Sequence, residues 1–241
     1  MSASSSGRGK GRDQGAGRDA DVSGLNSGLK RSSRPGPRVT VGEGAIKPRP
    51  KAPRDAGPGE VRIVGGVWKR SKLPVPASPG LRPTPDRVRE TLFNWLGHDL
   101  AGWRVLDAFA GSGALGFEAA SRGAAQVTLL ERDGSLATAL RANLKRLDKD
   151  GTVPMAIENA DALAWMRRAA PGSLDLVFLD PPFAQDLFLP ALAAAAPLLS
   201  PHGLIYLESP EPVEAPAALG LSVWKEGRAG AVHYRLLRRG G

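Results

Sequence analysis

Between Trp103 and Leu207, short apolar runs alternate with stretches of helical spacing, and no other feature of the sequence constrains the fold as tightly. Strands are expected at 104–108, 126–130, 153–157, 174–179 and 204–207. Helices are expected at 114–121, 135–147, 162–169 and 187–199. Strand–helix–strand order with helices of this length builds a parallel sheet covered on both faces. The rhythm then changes. Two apolar runs at 221–225 and 232–237 are separated by a segment too short for a crossover helix, so they pair as an antiparallel hairpin. The expected fold is α/β: a doubly wound, mostly parallel, seven-stranded Rossmann-like sheet that ends in an antiparallel hairpin.

The residues ahead of this unit fall into two parts. Residues 1–59 hold no Phe, Trp or Tyr and are rich in Gly, Ser, Pro, Lys and Arg. Such a stretch buries too little apolar surface to offset its chain entropy, so a disordered basic tail is expected. Residues 60–97 read as a small extension. Val61-Arg-Ile-Val-Gly-Gly-Val-Trp-Lys69 and Leu73-Pro-Val75 suggest a short hairpin. Pro79, Pro83 and Pro85 then hold the chain extended, and a helix follows over 86–96, with Thr84 as its expected cap and Pro85 at its first position. Residues 98–241 form the main domain.

The net charge of +9 is carried by the front of the chain, since residues 1–89 are strongly basic and residues 90–241 mildly acidic. A basic arm on a near-neutral body suits a polyanion, although for residues 1–59 a solubilising tail explains the composition equally well. Lys69, Arg70, Lys72, Arg82 and Arg87, with Arg89 beside them, are the candidate contacts to nucleic-acid phosphates. The chain has no cysteine, which excludes disulfides, thiolate metal sites and a thiol nucleophile. His98, His202 and His233 have no metal-ligand spacing, so no metal is expected. No apolar run approaches the ~18 residues of a membrane span, and no secretory signal is apparent, so a cytoplasmic protein without membrane contact is expected.

Asp107-Ala108-Phe-Ala-Gly111-Ser-Gly113-Ala-Leu-Gly116 follows the first parallel strand and opens a helix. Glycines there allow a tight turn and close approach of a nucleotide-like ligand. Glu131 ends the next strand about 20 residues on, as in dinucleotide folds. Asp107, however, would repel a pyrophosphate. S-Adenosylmethionine instead offers an ammonium, a ribose diol and an adenine, matched by Asp107, Glu131 and Asp161 at three successive strand ends. Each acid could equally serve as a helix cap.

Asp180-Pro181-Pro182-Phe183 follows the apolar run Leu174-Asp-Leu-Val-Phe-Leu179. The two prolines stiffen the loop and remove backbone donors. Asp180 and the Pro181 carbonyl could then accept both hydrogens of an exocyclic amine, while Phe183 stacks on a base drawn out of its helix. An ordinary Asp, with a pKa of ~3.9, is a weak base, so orientation and charge stabilisation are its expected roles.

The 111–116 loop with Asp180–Phe183 resembles the amino-methyltransferases that act on adenine N6, guanine N2 or cytosine N4. Further segments sharpen the resemblance: Arg62-Ile-Val-Gly-Gly-Val-Trp-Lys69, Lys72-Leu-Pro-Val-Pro76, Gly80-Leu-Arg-Pro-Thr-Pro-Asp-Arg-Val-Arg-Glu-Thr-Leu-Phe-Asn-Trp-Leu96 and Lys225-Glu-Gly-Arg-Ala-Gly-Ala-Val-His-Tyr-Arg235 are similar to the bacterial 16S rRNA guanine-N2 methyltransferases of the RsmD family. The resemblance spans residues 60–239. It implies methylation of guanine 966 of 16S rRNA, a monomer working on an assembling small ribosomal subunit, and rRNA contact by the 60–89 segment. It also places Asp107, Gly111, Gly113, Glu131 and Asp161 at the cofactor and Asp180–Phe183 at the target base. The alternatives are a DNA adenine-N6 methyltransferase and an RNA-binding assembly protein with a degenerate site.

Overall fold

The computed structural model describes residues 59–77 and 85–240. The expected tail, Arg82 and the cap at Thr84 lie outside the described residues. Two short strands, β1 (Gly59–Arg62) and β2 (Lys72–Val75), pair antiparallel with Val61 opposite Leu73. Helix α1 (Asp86–Leu96) follows, burying Val88, Arg89, Leu92 and Phe93 on one face. Pro85 is its N-cap, one position earlier in the helix frame than expected, and Asp86 opens the first turn. Gly97, at φ 100°, ends the helix.

The main sheet then alternates with helices: β3 (Arg104–Asp107), α2 (Ala114–Ser121), β4 (Gln126–Glu131), α3 (Gly134–Leu147), β5 (Met155–Asn159), α4 (Ala162–Met166), β6 (Leu174–Leu179), α5 (Phe188–Ala195) and β7 (Leu199–Ser209). The closing hairpin is β8 (Leu221–Ala229) and β9 (Val232–Arg239). The strand order is β5-β4-β3-β6-β7-β9-β8. β3 to β7 run parallel, and β9 lies antiparallel between β7 and β8. This is the expected doubly wound, seven-stranded sheet.

Alternation along each strand sorts side chains to opposite faces. Val105, Leu129, Leu176, Phe178 and Tyr206 join α1, α2 and the β1–β2 hairpin in one core. Leu106, Leu130, Val177, Leu179, Ile205 and Leu207 join α4 and α5 in the other. β7 is longer than the expected 204–207 run. Its pairing with β6 jumps from Leu174↔Leu199 to Leu176↔Leu204, so Ser200-Pro-His-Gly203 is accommodated as an irregularity within the strand rather than ending it. Helix α4 stops at Met166, short of the expected 169, and α5 gives way to a 3-10 turn at Ala196–Leu198. No helix among the described residues is long and apolar enough to cross a membrane.

The sheet reverses its order between β3 and β6. Connections from β3 run outward through β4 and β5, and those from β6 run outward through β7. Open α/β sheets bind ligands outside the carboxyl ends of the strands at such a switch point. Both motifs singled out in the sequence, 107–116 and 180–183, lie there.

Candidate active site and cofactor cradle

Asp107, the last residue of β3, is buried, and its Oδ2 accepts the Gly116 N–H at 2.9 Å. That bond ties the strand tip to the first turn of α2 and folds residues 108–115 into a tight loop, with Ala108 buried beneath it. Two glycines are required by space. A Cβ on Gly113, already in the left-handed region at φ 77°, would come within 2.6 Å of Leu140 and 2.7 Å of Phe117. One on Gly116 would press on Leu129 at 2.5 Å and on the Asp107 carboxylate at 3.1 Å. Close packing therefore underlies both glycines: Gly116 lies against β3 and β4, and Gly113 against Leu140 of α3 and Phe117 of α2.

Glu131 closes the loop from the side. Its Oε2 accepts the Gly111 N–H at 2.8 Å and its Oε1 the Asp133 N–H at 2.8 Å. An ionised carboxylate has about four lone-pair sites, so these two bonds leave room for a ligand hydroxyl. Asp161 is the N-cap of α4, with Oδ1 accepting the Ala164 N–H at 2.8 Å. Asn159, at the end of β5, donates to the carbonyls of Glu131 and Arg132 at 2.8 and 2.9 Å and holds the two strand ends together.

Burial pushes the Asp107 carboxyl up to about 7, against the Gly116 hydrogen bond and with help from the charges of Glu131 and Glu208. A buried acid in this state gains from a cation brought beside it. The set of acids around a glycine loop fits a cationic nucleoside such as S-adenosylmethionine and opposes a pyrophosphate. Asp107, Glu131 and Asp161 thus stand at or just beyond the carboxyl ends of three neighbouring strands, β3, β4 and β5.

Asp180 follows β6 directly and is half-buried. Pro181 is buried, Pro182 exposed, and Phe183–Gln185 forms a single 3-10 turn closed by Gln185 N–H to the Pro182 carbonyl at 3.1 Å. The Phe183 ring is 41% exposed and leans on Phe188, with ring centroids 6.0 Å apart, so one face is available for stacking. The Asp180 carboxyl titrates well above the ordinary range, through burial first and then through Glu208 and Asp107. Its surroundings favour the protonated carboxyl more than water does.

Reading the sequence missed Glu208. It lies on β7, 4% exposed, and accepts the Tyr206 hydroxyl at 2.9 Å. The only sequence signal was an acid inside an apolar strand, Leu204-Ile-Tyr-Leu-Glu-Ser209.

The basic candidates divide. Lys69, Arg70, Lys72 and Arg87 are exposed, and Lys72 pairs with Glu60 at 2.7 Å. Arg89 is fully buried and leaves the set of phosphate contacts. It donates to Asp86 at 2.6 Å and the Arg62 carbonyl at 2.7 Å, and lies 3.6 Å from Glu118. Position 89 points inward because it shares the helix face of Val88 and Leu92, which the spacing of charges alone did not reveal. Among the described residues no group of His, Cys, Asp or Glu is arranged to hold a metal ion.

A family model described as Conserved hypothetical protein 95 matches residues 61–238. The chain is 44% identical over 197 residues to Ribosomal RNA small subunit methyltransferase D of Escherichia coli K12, covering 78% of this chain and 95% of that protein. It is 43% identical over 181 residues to the Haemophilus influenzae protein of the same name, covering 74% and 93%. Among solved structures, yhhF of Escherichia coli superposes with a TM-score of 0.66 at 43% identity, covering 76% of this chain and 99% of that one. A Thermus thermophilus 16S rRNA N2 G1207 methyltransferase, solved with AdoMet and guanosine, shares the fold at 20% identity, with a TM-score of 0.57 over 76% of this chain and 50% of that one. Matched across its main domain and its N-terminal extension alike, the chain belongs to the Conserved hypothetical protein 95 family, among the small-subunit ribosomal RNA methyltransferases D.

Proposed function

We propose that this protein transfers a methyl group from S-adenosylmethionine to the exocyclic N2 amine of guanine 966 in 16S rRNA, acting in the bacterial cytoplasm as a monomer during small-subunit assembly. The observation that carries the reaction type is the Asp180-Pro181-Pro182-Phe183 loop beside Asp107 at the switch point of the sheet. Near full-length similarity to the D-type small-subunit rRNA methyltransferases supports the substrate class. The base and atom rest on the family resemblance.

S-Adenosylmethionine supplies a methyl group already activated on a sulfonium. The chain has to orient the acceptor and manage its proton. An aromatic amine has a delocalised lone pair and is a poor nucleophile. Asp180 and the Pro181 carbonyl accept its two hydrogens, which turns the lone pair toward the methyl carbon. Phe183 stacks on the base and fixes its plane. Alignment of this kind contributes about 7–11 kcal/mol. Asp107, Gly111, Gly113, Glu131 and Asp161 hold the cofactor, with Ala108 in the loop floor. Lys69, Arg70, Lys72, Arg82 and Arg87 contact rRNA phosphates. In this reading residues 60–97 are the rRNA-contacting extension, residues 98–241 the methyltransferase domain and residues 1–59 an additional basic arm.

The test is transfer of labelled methyl to free 16S rRNA, small-subunit particles and duplex DNA, followed by mass-spectrometric mapping of the modified nucleotide. Modification of guanine 966 at N2 is expected. Activity confined to DNA, or a methyl group on another base, overturns the assignment.

A further inference from the structure

We propose that Glu208, held by the Tyr206 hydroxyl, is a positioning residue that makes Asp180 the proton acceptor for the target amine. The inference rests on the amine-methylation reading of the Asp180 loop and adds to it a route for the proton.

The placement comes from sheet register. β6 and β7 run parallel with Phe178 opposite Tyr206 and Leu179 opposite Leu207. Asp180 and Glu208 are the next residue on each chain, so the register brings the two acids to neighbouring positions. The Tyr206 ring is fixed between Phe178, edge-on at 6.1 Å, and Tyr234 at 6.5 Å. Its hydroxyl is therefore held in place and reaches Glu208 Oε1 at 2.9 Å. Tyr206 is fully buried and Glu208 nearly so. A hydroxyl that donates to a carboxylate favours the ionised form of the acid. A carboxyl held this way, away from water, couples strongly to an acid beside it.

The two acids that act on Asp180 push its carboxyl in the same direction. Asp107 approaches from β3, with Glu131 of β4 acting on Asp107 in turn. Glu208 approaches from β7, with Tyr206 beneath it and Tyr234 of β9 acting on Tyr206.

The reaction needs such an acceptor. The amine nitrogen forms a bond to the methyl carbon as the carbon–sulfur bond breaks, and that bond's electron pair stays on sulfur. Nitrogen then carries the positive charge and loses one proton to the Asp180 carboxylate, which releases it to solvent. Asp180 has to be ionised at the start, which the cation of the bound cofactor promotes. It also has to hold the proton firmly at the end, which Glu208 promotes.

Two measurements on the full-length protein test this. First, the Asp180 carboxyl is titrated by carbon-13 NMR without cofactor or RNA. Glu208→Gln should lower its midpoint by about one pH unit or more, a tenfold change in proton affinity. Tyr206→Phe, which keeps the ring packing, should lower it by less. Second, single-turnover methyl transfer to 16S rRNA is followed against pH at saturating cofactor. Glu208→Gln should move the acid limb to lower pH and reduce the plateau rate about tenfold, as Brønsted behaviour requires, with cofactor affinity unchanged. An Asp180 midpoint that stays put in both variants overturns the proposal, as does a wild-type pH profile in Glu208→Gln. If the wild-type chain methylates no rRNA, the proposed function fails, and the NMR titration still decides whether Glu208 controls Asp180.

Discussion

Asp175 and Asp180 sit at opposite ends of the same strand, and their carboxyls are driven in opposite directions. At the amino end of β6, Asp175 accepts three bonds from Arg104: from Nε at 3.0 Å, from Nη2 at 3.2 Å and from the backbone N–H at 2.9 Å. The Arg104 side chain is the main reason its carboxyl falls to about 2. At the carboxyl end, Asp180 shares its surroundings with Asp107 and Glu208 and is pushed far up. One acid has found its partners within the chain. The other is set beside two acids, and a ligand that brings donors and positive charge would relieve it. The two ends of one strand thus hold one acid neutralised by a guanidinium and one set beside other acids.

The largest effect should come from the strand end where acids crowd together. Asp180→Asn should slow methyl transfer by about 10²–10⁴-fold and leave cofactor binding, measured by calorimetry, largely intact. Loss of both together would make Asp180 a structural acid like Asp175 and erase the contrast.

Asp107→Asn comes next. A folded-state carboxyl raised to about 7 contributes stability that is fully present below pH ~4 and is lost as pH rises through 7. The asparagine variant should therefore be the more stable protein at pH 8 without cofactor, by up to roughly 4 kcal/mol, and should bind cofactor more weakly. Denaturant melts at pH 4 and pH 8 check the sign. A variant less stable than wild type at pH 8 would place Asp107 with Asp175.

Asp175→Asn should show the opposite dependence on a smaller scale. Its depressed carboxyl contributes stability above pH ~4 that is lost as pH falls through about 2. The pair is partly exposed, so the expected loss at pH 7 is about 1 kcal/mol, shrinking toward nothing at pH 2. A loss that does not change with pH would mean that Arg104 contributes by packing alone.

The smallest effects lie on the surface. Lys69→Ala and Arg70→Ala should each flatten the logarithmic salt dependence of RNA binding by ~0.7–0.9 if each meets one phosphate, with the methylation rate at saturating RNA unchanged. An unchanged slope removes them from the interface.

The sequence revealed this site unevenly, for a physical reason. The glycine loop and Asp180-Pro181-Pro182-Phe183 are local signals, because consecutive residues set the turn and the free carbonyls. The strand and helix spans were legible for the same reason, through periodicity. Glu208 was invisible because its partners, Asp180 and Tyr206, meet only through the register of β6 and β7. Arg89 misled because charge density at 87–89 says nothing of which residue faces inward. Asp161 was ambiguous and proves to cap α4, leaving its reach toward a cofactor for experiment. The raised state of Asp180 followed from burial, which a single strand-end residue does not disclose.

Helix α2 carries one more consequence. Its first turn grips Asp107 through Gly116, and its last turns grip the extension: Glu118 accepts the Val64 N–H at 2.8 Å, and Ser121 accepts the Trp68 N–H at 2.9 Å while donating to the Gly65 carbonyl at 2.6 Å. At 1.5 Å per residue, eight residues span about 12 Å. The front segment is thus welded to the machinery it serves and is no detachable module. Exchanging it between relatives means transplanting Glu118 and Ser121 with it, and a cut at Gly97 would take Arg89 and the Val64 N–H from Glu118, leaving it only Arg122.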